Sequence, residues 1–500
     1  PCFGLTGPHN GSDATGRMDK GSIIRKHDKL YVHVEINKRY ITLAPVSNLI
    51  AVAVHVTDPD NHLEGKYKEG VTIFLLDKKE TPTLLQETYH DPNGAGFPNG
   101  TLKGTLLIPI ENTIGGIENV GKGWPMLMEC LAVGRGVSLP ATANGSSKTC
   151  TTAMLYYIQH RSQFKIPLCK MEAIQEKFMN MFYHTWTIQS SVTFTNHILD
   201  SGSTPSVITA IMKQQTTERA RKVLLDGMDI YAGSGICKGP NNLFSKFYQA
   251  APISVTVEGS NVLTRSLIIF GQGLNKSHPY IFPILSAIET KDHDSFGKQM
   301  KNLTKHVFFQ YVKSLQPITF SSFSENRLAL LTSKFANLSN FVALLGGGIK
   351  SKQILSGKMA DILSNIYMAY SILWYHEYFL TTQTKELQRI RDYCIHRLCS
   401  EIEQDLNDAI QLFPLFYMKP ILSFNYVYPD KTTHLQKQKE VYSTVLEYKP
   451  IHDLLISDIS IKNTVLEKLL LLHETPKSDP LYESLYNDII SVGEFQIDKN

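Results

Sequence analysis

The sequence lacks most of the short signatures that would decide its chemistry outright. Its seven cysteines are Cys2, Cys130, Cys150, Cys169, Cys237, Cys394 and Cys399, and no two have just two residues between them. A zinc ribbon or a CxxC redox pair is therefore excluded, and an odd, scattered set suits a reducing compartment. No signal peptide is read in these residues. No apolar run reaches the roughly 18 residues needed to span a bilayer. The nearest candidate, 361–380, carries Asp361, Asn365, His376 and Glu377 and reads as a buried bundle helix. The net charge of +4 is thin over 500 residues, so no nucleic-acid footprint is expected. "RARK" (219–222) and "QRIRDYCIHR" (388–397) are basic, but their helical settings read as solvated faces. Internal repeats are missing as well. "LLGGGIKSK" (344–352) has Ile349 between Gly348 and Lys350, so it is no phosphate loop and reads as a helix end followed by a turn.

What is present is an ordinary globular balance, 42% apolar and 19% charged, in a chain long enough for two to four domains. Residues 1–115 alternate as strands: "KLYVHVEINKRYITL", "LIAVAVHVTD", "GVTIFLLD", and "TLLIPI" after a Pro-Asn-Gly turn at 98–100. The spacing of Gly and Pro suits an antiparallel sheet or barrel. From Gly121 the period becomes helical. "GWPMLMECLAVGRG" sets Trp124, Leu127 and Leu131 on one stripe. Separate helices with short loops follow through "TTAMLYYIQHRSQF", "MEAIQEKFMNMFYHTWTIQ" and a segment opened by Pro205. After about Gly273 a third, mainly helical region begins, with residues 414–438 as a long irregular connection. The chain starts at Pro1, not Met, and at once on an apolar segment, so an earlier part of the protein is expected.

Several stretches could carry chemistry, and each has a plainer reading. "GLTGPHNGSDATG" (4–16) could form a backbone nest for a phosphate, or be a polar loop between strands. "HRSQFK" (160–165) offers Arg161 for a bidentate anion contact, or a cation favouring a helix end. "MDIYAGSGI" (228–236) allows close backbone approach by a ligand, or simply terminates a helix. In "SVTVEGSNVLTR" (254–265) a β-branched run breaks at Glu258, which is a solvated turn or a buried lone base. Burial raises the pKa of a carboxylate toward the range useful for proton abstraction.

Singly these are weak; their order is not. "LTGPHNGSD", "KRYIT", "GKGWPMLMECLAVGR", "RSQF", "MDIYAGSGI" and "VEGSN…R" together resemble the acyl-CoA dehydrogenase flavoprotein family over residues 1–275. The rest resembles the C-terminal extension of its long bacterial fatty-acid branch, the FadE type. The resemblance implies an α+β fold: an antiparallel β domain (1–115) binding FAD and acyl-CoA, and a helical bundle (116–275) with the catalytic glutamate. A further helical extension (276–500) follows, and the family's N-terminal helical domain is missing. Leu5 and Thr6 would contact the flavin ring, and Gly11 and Ser12 would lie near phosphates. Tyr40 would stack on the flavin and Thr42 would bond near N5. Arg161, Gln163 and Phe164 would reach the FAD of a neighbouring subunit. Gly233 and Gly235 would let the backbone approach FAD, with Asp229 where the family has Gln. Arg135 would support the substrate side. Val257, Glu258, Gly259 and Ser260 match the family's "YEGT", with Gly259 beside substrate and Ser260 beside cofactor.

The implied reaction is α,β-dehydrogenation of a medium- to long-chain fatty acyl-CoA to the trans-2-enoyl-CoA, the first step of fatty acid β-oxidation. Glu258 is the general base and the hydride goes to flavin N5. The implied acceptor is an electron-transfer flavoprotein, the implied assembly a homo-oligomer, and the implied location the bacterial cytoplasm, with membrane association left open. Metal and nucleic acid are not expected. An acyl-CoA oxidase-like enzyme and a non-catalytic scaffold on the same fold stand as alternatives. Ser260 or Asn261 is expected to cap the helix that carries Arg265.

Overall fold

The computed structural model describes residues 1–14, 16–65, 68–87, 89–203, 205–315, 324–423, 426–427 and 432–492. It is an α+β fold of two compact units, one of residues 1–134 with 252–260, the other of residues 135–251 with 261 onward.

The first unit is built on six strands: β1 (Cys2–Gly4), β2 (Lys20–Lys26), β3 (Lys29–Thr42), β4 (Leu49–Thr57), β5 (Gly70–Asp77) and β6 (Asn99–Pro109). They run in the order β1-β4-β2-β3-β6, with β5 also on β4. Three pairings are antiparallel, and β4 pairs in parallel with β1 and β2. A two-residue turn joins β2 to β3, and its residues His27 and Asp28 both hold positive φ, the backbone that a twisted hairpin favours. Period-two alternation then buries Val32, Val34 and Ile36 of β3 against Ile50, Val52 and Val54 of β4. Lys38 falls in the same inward register and is fully buried. Its Nζ meets Asp19 Oδ2 at 3.1 Å and donates to the Leu5 carbonyl at 3.3 Å. Burial lowers its pKa, and Asp19 partly restores it. The turn expected at 98–100 is instead strand: Asn99 pairs with Thr42 and the buried Gly100 with Ile41. One extra residue is inserted in β3 at this point, so that Arg39 and Tyr40 oppose Thr101, and the register shifts between Lys38 and Ile41.

The second unit is helical. Helix α1 (Gly123–His160), whose residues 123–134 are counted in the first unit, runs 38 residues without a break, where a loop was expected between two helices. Pro140 lies inside it, yet Ala143, Ser146 and Ser147 beyond are buried, so packing outweighs the lost hydrogen bond. Helix α2 (Glu172–Asp200) is buried almost all round from Phe178 to Val192, and α3 (Ser206–Tyr231) packs beside it. Helices Gln353–Trp374 and Lys385–Leu412 share one apolar cluster with them, including Trp186, Val223, Ile366 and Leu398. Part of the expected connection at 414–438 is ordered as short helical turns at Phe416–Met418 and Lys419–Leu422, and a helix starts at Thr432; residues 424–425 and 428–431 lie outside the described residues. The stretch Thr264–Gln272 winds as π-helix. Among the described residues no helix is long and apolar enough to cross a membrane.

Candidate active site

The β-branched run before Glu258 is helical: helix Ser245–Thr256 closes with Val257 N donating to the Ile253 carbonyl at 2.9 Å. The chain then turns through Glu258 at φ 56° and Gly259 at φ 92°. Glycine adopts such backbone freely, whereas for a glutamate it costs about 1–2 kcal/mol. Such a backbone persists only where the surrounding structure over-determines it. Glu258 is half-buried and its Oε2 is shielded from solvent. Facing it is Gly134 of α1, where even a methyl group would stand 3.4 Å from Glu258 Oε1. The glycine leaves the space beside the carboxylate open.

The loop 5–14 is organised by one buried side chain, Asn10. Its Oδ1 accepts from Gly7 N at 2.6 Å, and its Nδ2 donates to the carbonyls of Leu5 and Ala14 at 3.2 and 3.0 Å. Arg39 N donates to the Thr6 carbonyl at 3.0 Å, which ties the loop to β3 next to Tyr40. Gly7 is tight, since a side chain there would meet Asn37 O at 2.9 Å, whereas Gly11 is open on every side. Ser12 Oγ donates to Ser260 Oγ at 3.5 Å, so the loop and the glutamate turn meet. Tyr40 occupies the β3 irregularity at φ 60° and is 57% exposed. Its ring lies 5.1 Å from that of His90, and the Arg39 guanidinium sits 5.0 Å from its centroid. Thr42 is exposed beyond it. Leu5, Thr6, Gly11, Ser12, Tyr40, Thr42, Glu258, Gly259 and Ser260 thus all belong to the β unit. Its pinned loop, exposed hydroxyls and exposed aromatic suit a phosphate-bearing planar ring system.

The other expected residues belong to the helical unit. Arg135 is buried on α1. Arg161, Gln163 and Phe164 lie at and within a hairpin pairing Ser162–Gln163 with Ile166–Pro167. The hairpin turns through Phe164 and Lys165 at φ 53° and 62°. Phe164 is 89% exposed at the tip. Arg161 is half-buried and its Nη1 donates to the Ile490 carbonyl at 3.0 Å. Gly233 is exposed and open, and Gly235 is buried against Met228. Asp229 is paired with Lys177 at 2.7 Å. Tyr231 leads through Asn241 to the Asp488 carbonyl, so the Arg161 hairpin and the glycine turn both lean on the segment 488–490. Asn261 caps no helix. Its side chain turns toward α3, accepting from Lys213 at 2.7 Å and donating to Thr217 and Glu218 at 2.9 Å each.

A buried polar network was missed by the sequence reading. Arg219, read as part of a solvated "RARK" face, is almost fully buried. It donates to Asn365 Oδ1 at 2.7 Å and Glu401 Oε2 at 3.1 Å, and the Arg397 guanidinium stacks 4.1 Å from the Tyr183 ring centroid. Burial alone would raise the Glu401 carboxyl, but Arg219 and Arg397 outweigh it and hold it below the usual range. In the same cleft, burial pushes Asp405 up to about 6 against the pull of Lys358, 2.8 Å away. A signal existed: Arg219 follows Met212 by seven residues and precedes Val223 by four, which puts it on the apolar stripe.

Residues 121–271 match the family described as "Acyl-CoA dehydrogenase, C-terminal domain", and residues 275–491 match "Acyl-CoA dehydrogenase, C-terminal, bacterial type". The chain is 26% identical over 263 residues to the short-chain-specific acyl-CoA dehydrogenase of Megasphaera elsdenii, covering 52% of this chain and 64% of that one. It is 25% identical over 267 residues to the 3-(aryl)acrylate reductase of Clostridium sporogenes, covering 53% and 67%. The solved structure of an acyl-CoA dehydrogenase from Bacillus anthracis, complexed with FAD, shares the fold with a TM-score of 0.71 at 20% identity, over 89% of this chain and 75% of that one. The chain spans 59–67% of the length of the curated relatives it matches. Two consecutive matches to parts of one family, on a fold shared along most of the chain, leave one assignment: this chain belongs to the acyl-CoA dehydrogenase family.

Proposed function

We propose that the protein is an FAD-dependent oxidoreductase that dehydrogenates medium- to long-chain fatty acyl-CoA to the trans-2-enoyl-CoA, as the first step of β-oxidation. The observation that carries this reading is Glu258: a strained backbone, a carboxylate shielded from solvent and a glycine opposite it. Glu258 takes the α proton as general base. Its backbone N–H donates to the thioester carbonyl, where negative charge develops, and the freedom of Gly259 sets the direction of that N–H. Arg135 supports the substrate side of the pocket. FAD, when bound, supplies the acceptor for the hydride leaving the β carbon.

In this reading residues 1–115 form the FAD- and acyl-CoA-binding domain, 116–275 the bundle with the base, and 276–500 the bacterial extension. Leu5, Thr6, Tyr40 and Thr42 line the flavin ring. Gly11, Ser12 and Ser260 lie along the phosphates, and Gly233 and Gly235 admit the cofactor by close backbone approach. Arg161, Gln163 and Phe164 reach the cofactor of a second copy in a homo-oligomer. Phe164 supports that last role, because an aromatic on a left-handed hairpin tip is costly unless covered. An electron-transfer flavoprotein reoxidises the enzyme, and the protein works in the bacterial cytoplasm.

The test uses the full-length protein. Its flavin spectrum should bleach on adding acyl-CoAs, fastest with medium to long chains across a panel from butyryl to palmitoyl. Glu258→Gln should keep the flavin and lose the bleaching. Bleaching of Glu258→Gln at the wild-type rate would overturn the mechanism.

A further inference from the structure

A cavity of about 840 Å³ lies wholly inside the helical unit, apart from every residue assigned above to flavin or thioester. Its walls come from the π-helical stretch Thr264–Gln272, the helices Ile281–Glu289, His293–Ser314 and Ser324–Ala343, and the turn at 346–347. The lining is chiefly aliphatic and aromatic: Leu267, Leu274, Ile284, Leu303, Val307 and Phe341. The volume lies in the range of small-molecule sites, about 300–1,000 Å³. Protein interiors are close-packed, so a cleft of this size between helices is a candidate binding site.

Several polar side chains reach the wall, among them Ser266, Gln272, Asn275, His278 and Lys350, and Asn340 adds a donor that is not satisfied. Asn340 lines it and is only 7% exposed. Tyr280 N donates to His278 Nδ1 at 3.3 Å. The imidazole therefore carries its proton on Nε2, which donates to Asn340 Oδ1 at 3.0 Å. That bond fixes the amide and leaves Asn340 Nδ2 buried without an acceptor. A buried donor without a partner is rare and costly in a native fold, and a ligand oxygen would satisfy it. The mouth pairs apolar surface with one cation: Leu285, Leu344 and Lys350 all line the cavity and are exposed. An apolar chain fits the aliphatic wall, and an oxygen-bearing head group fits the polar groups near Asn340.

We propose that this cavity binds the alkyl chain of a single-tailed lipid, whose head-group oxygen accepts a hydrogen bond from Asn340 Nδ2. The shared chemistry is a linear chain ending in an acid, ester or thioester oxygen. The site does not depend on the flavin reading, and its occupancy is measured without turnover.

The experiment displaces the fluorescent fatty acid cis-parinaric acid from the full-length protein. Dodecanoate should displace it saturably, and affinity should rise about fourfold for each methylene from decanoate to tetradecanoate. Lauroyl lysophosphatidylcholine and lauroyl-CoA run as parallel arms, and the strongest competitor names the source. Leu274→Trp fills the cavity and should weaken dodecanoate about tenfold or more. Asn340→Asp keeps the shape but sets a carboxylate against a carboxylate. It should weaken dodecanoate about tenfold while dodecanol, which can donate to the new acceptor, binds nearly as before. Thermal melts accompany both variants, so a failure to fold in one leaves the other as the test. Failure of dodecanoate to bind saturably below its micellar concentration would sink the proposal. So would wild-type affinity in folded Leu274→Trp, because the lipid would then sit elsewhere.

Discussion

Tyr40 and Glu258 in the β unit hold left-handed backbone at the surface or half-buried, whereas Arg219, Arg327 and Glu403 in the helical unit sit on regular helix and are buried or nearly so. The two regions spend stability differently. The β unit has an alternating core that also takes in the Lys38–Asp19 pair, and it concentrates its cost at a few strained turns, which present side chains to whatever binds. The helical unit threads its core with charge, and several of the buried ions there are matched by an opposite charge. Arg327 forks onto Glu403 with two bonds of 2.6 Å, and Arg265 onto Asp361 from two nitrogens. Strain in the first region marks backbone that its surroundings over-determine. Paired charge in the second fixes which helices meet, because a mispaired ion is costly.

Four experiments would break or sharpen this contrast. The largest effect is expected at Glu258. Glu258→Gln should lower turnover of palmitoyl-CoA by about 10²–10⁴-fold, and Glu258→Gly should abolish it while raising the melting temperature, since glycine relieves the left-handed strain. A Glu258→Gly protein less stable than wild type would remove strain from the account. Next is Arg327→Met, which leaves Glu403 buried without its main cation and should cost about 3–5 kcal/mol in urea unfolding. The double variant Arg327→Met/Glu403→Leu should recover most of that. If it does not, specific charge pairing is not what the helical core depends on.

Acid should separate the regions too. His376 is buried, accepts from Trp186 Nε1 at 3.0 Å, and burial pushes its pKa down to about 3. Its folded pKa lies below the unfolded value, so its contribution is present above about pH 6.5 and is lost as pH falls toward 3. At pH 5 the loss is about 2 kcal/mol. His160, pushed down to about 4 by burial and by His473, adds in the same direction. A His376→Gln variant should show a flatter fall of stability between pH 7 and 5, and an unchanged profile would refute the assignment. The smallest effect is Asn10→Ala, about 1–3 kcal/mol from the donors and acceptors it strands. Its informative readout is weaker flavin retention at nearly unchanged helical content.

The β unit was the more legible of the two. Its strands followed alternation, and Glu258 stood out because a carboxylate interrupts "SVTV…NVL". Even so, periodicity took Asn99 and Gly100 for a turn, because glycine and asparagine serve as well in a strand opposite an irregularity as in a loop. Short motifs in order led to the family, while the left-handed backbone at Glu258 and the role of Asn10 needed coordinates. The helical unit hid more. Arg219 looked solvated because charge normally marks a surface, and only partners distant in sequence, Asn365 and Glu401, make its burial affordable. The loop expected between two helices is absent because packing carries α1 straight through Pro140. Nothing in "LLGGGIKSK" or its neighbours announced a cavity, since a void is a property of how helices fail to close.

The π-helical stretch Thr264–Gln272 gives the protein an unusual tolerance in one dimension. Each of its hydrogen-bonded rings encloses one residue more than an α-helical ring. Deleting a single residue there would let the backbone close as ordinary helix and keep its bonds. The wide turn would take up the change, and the helices on either side would keep their facing. Length change, usually the harshest of mutations, would here be absorbed within one stretch of backbone.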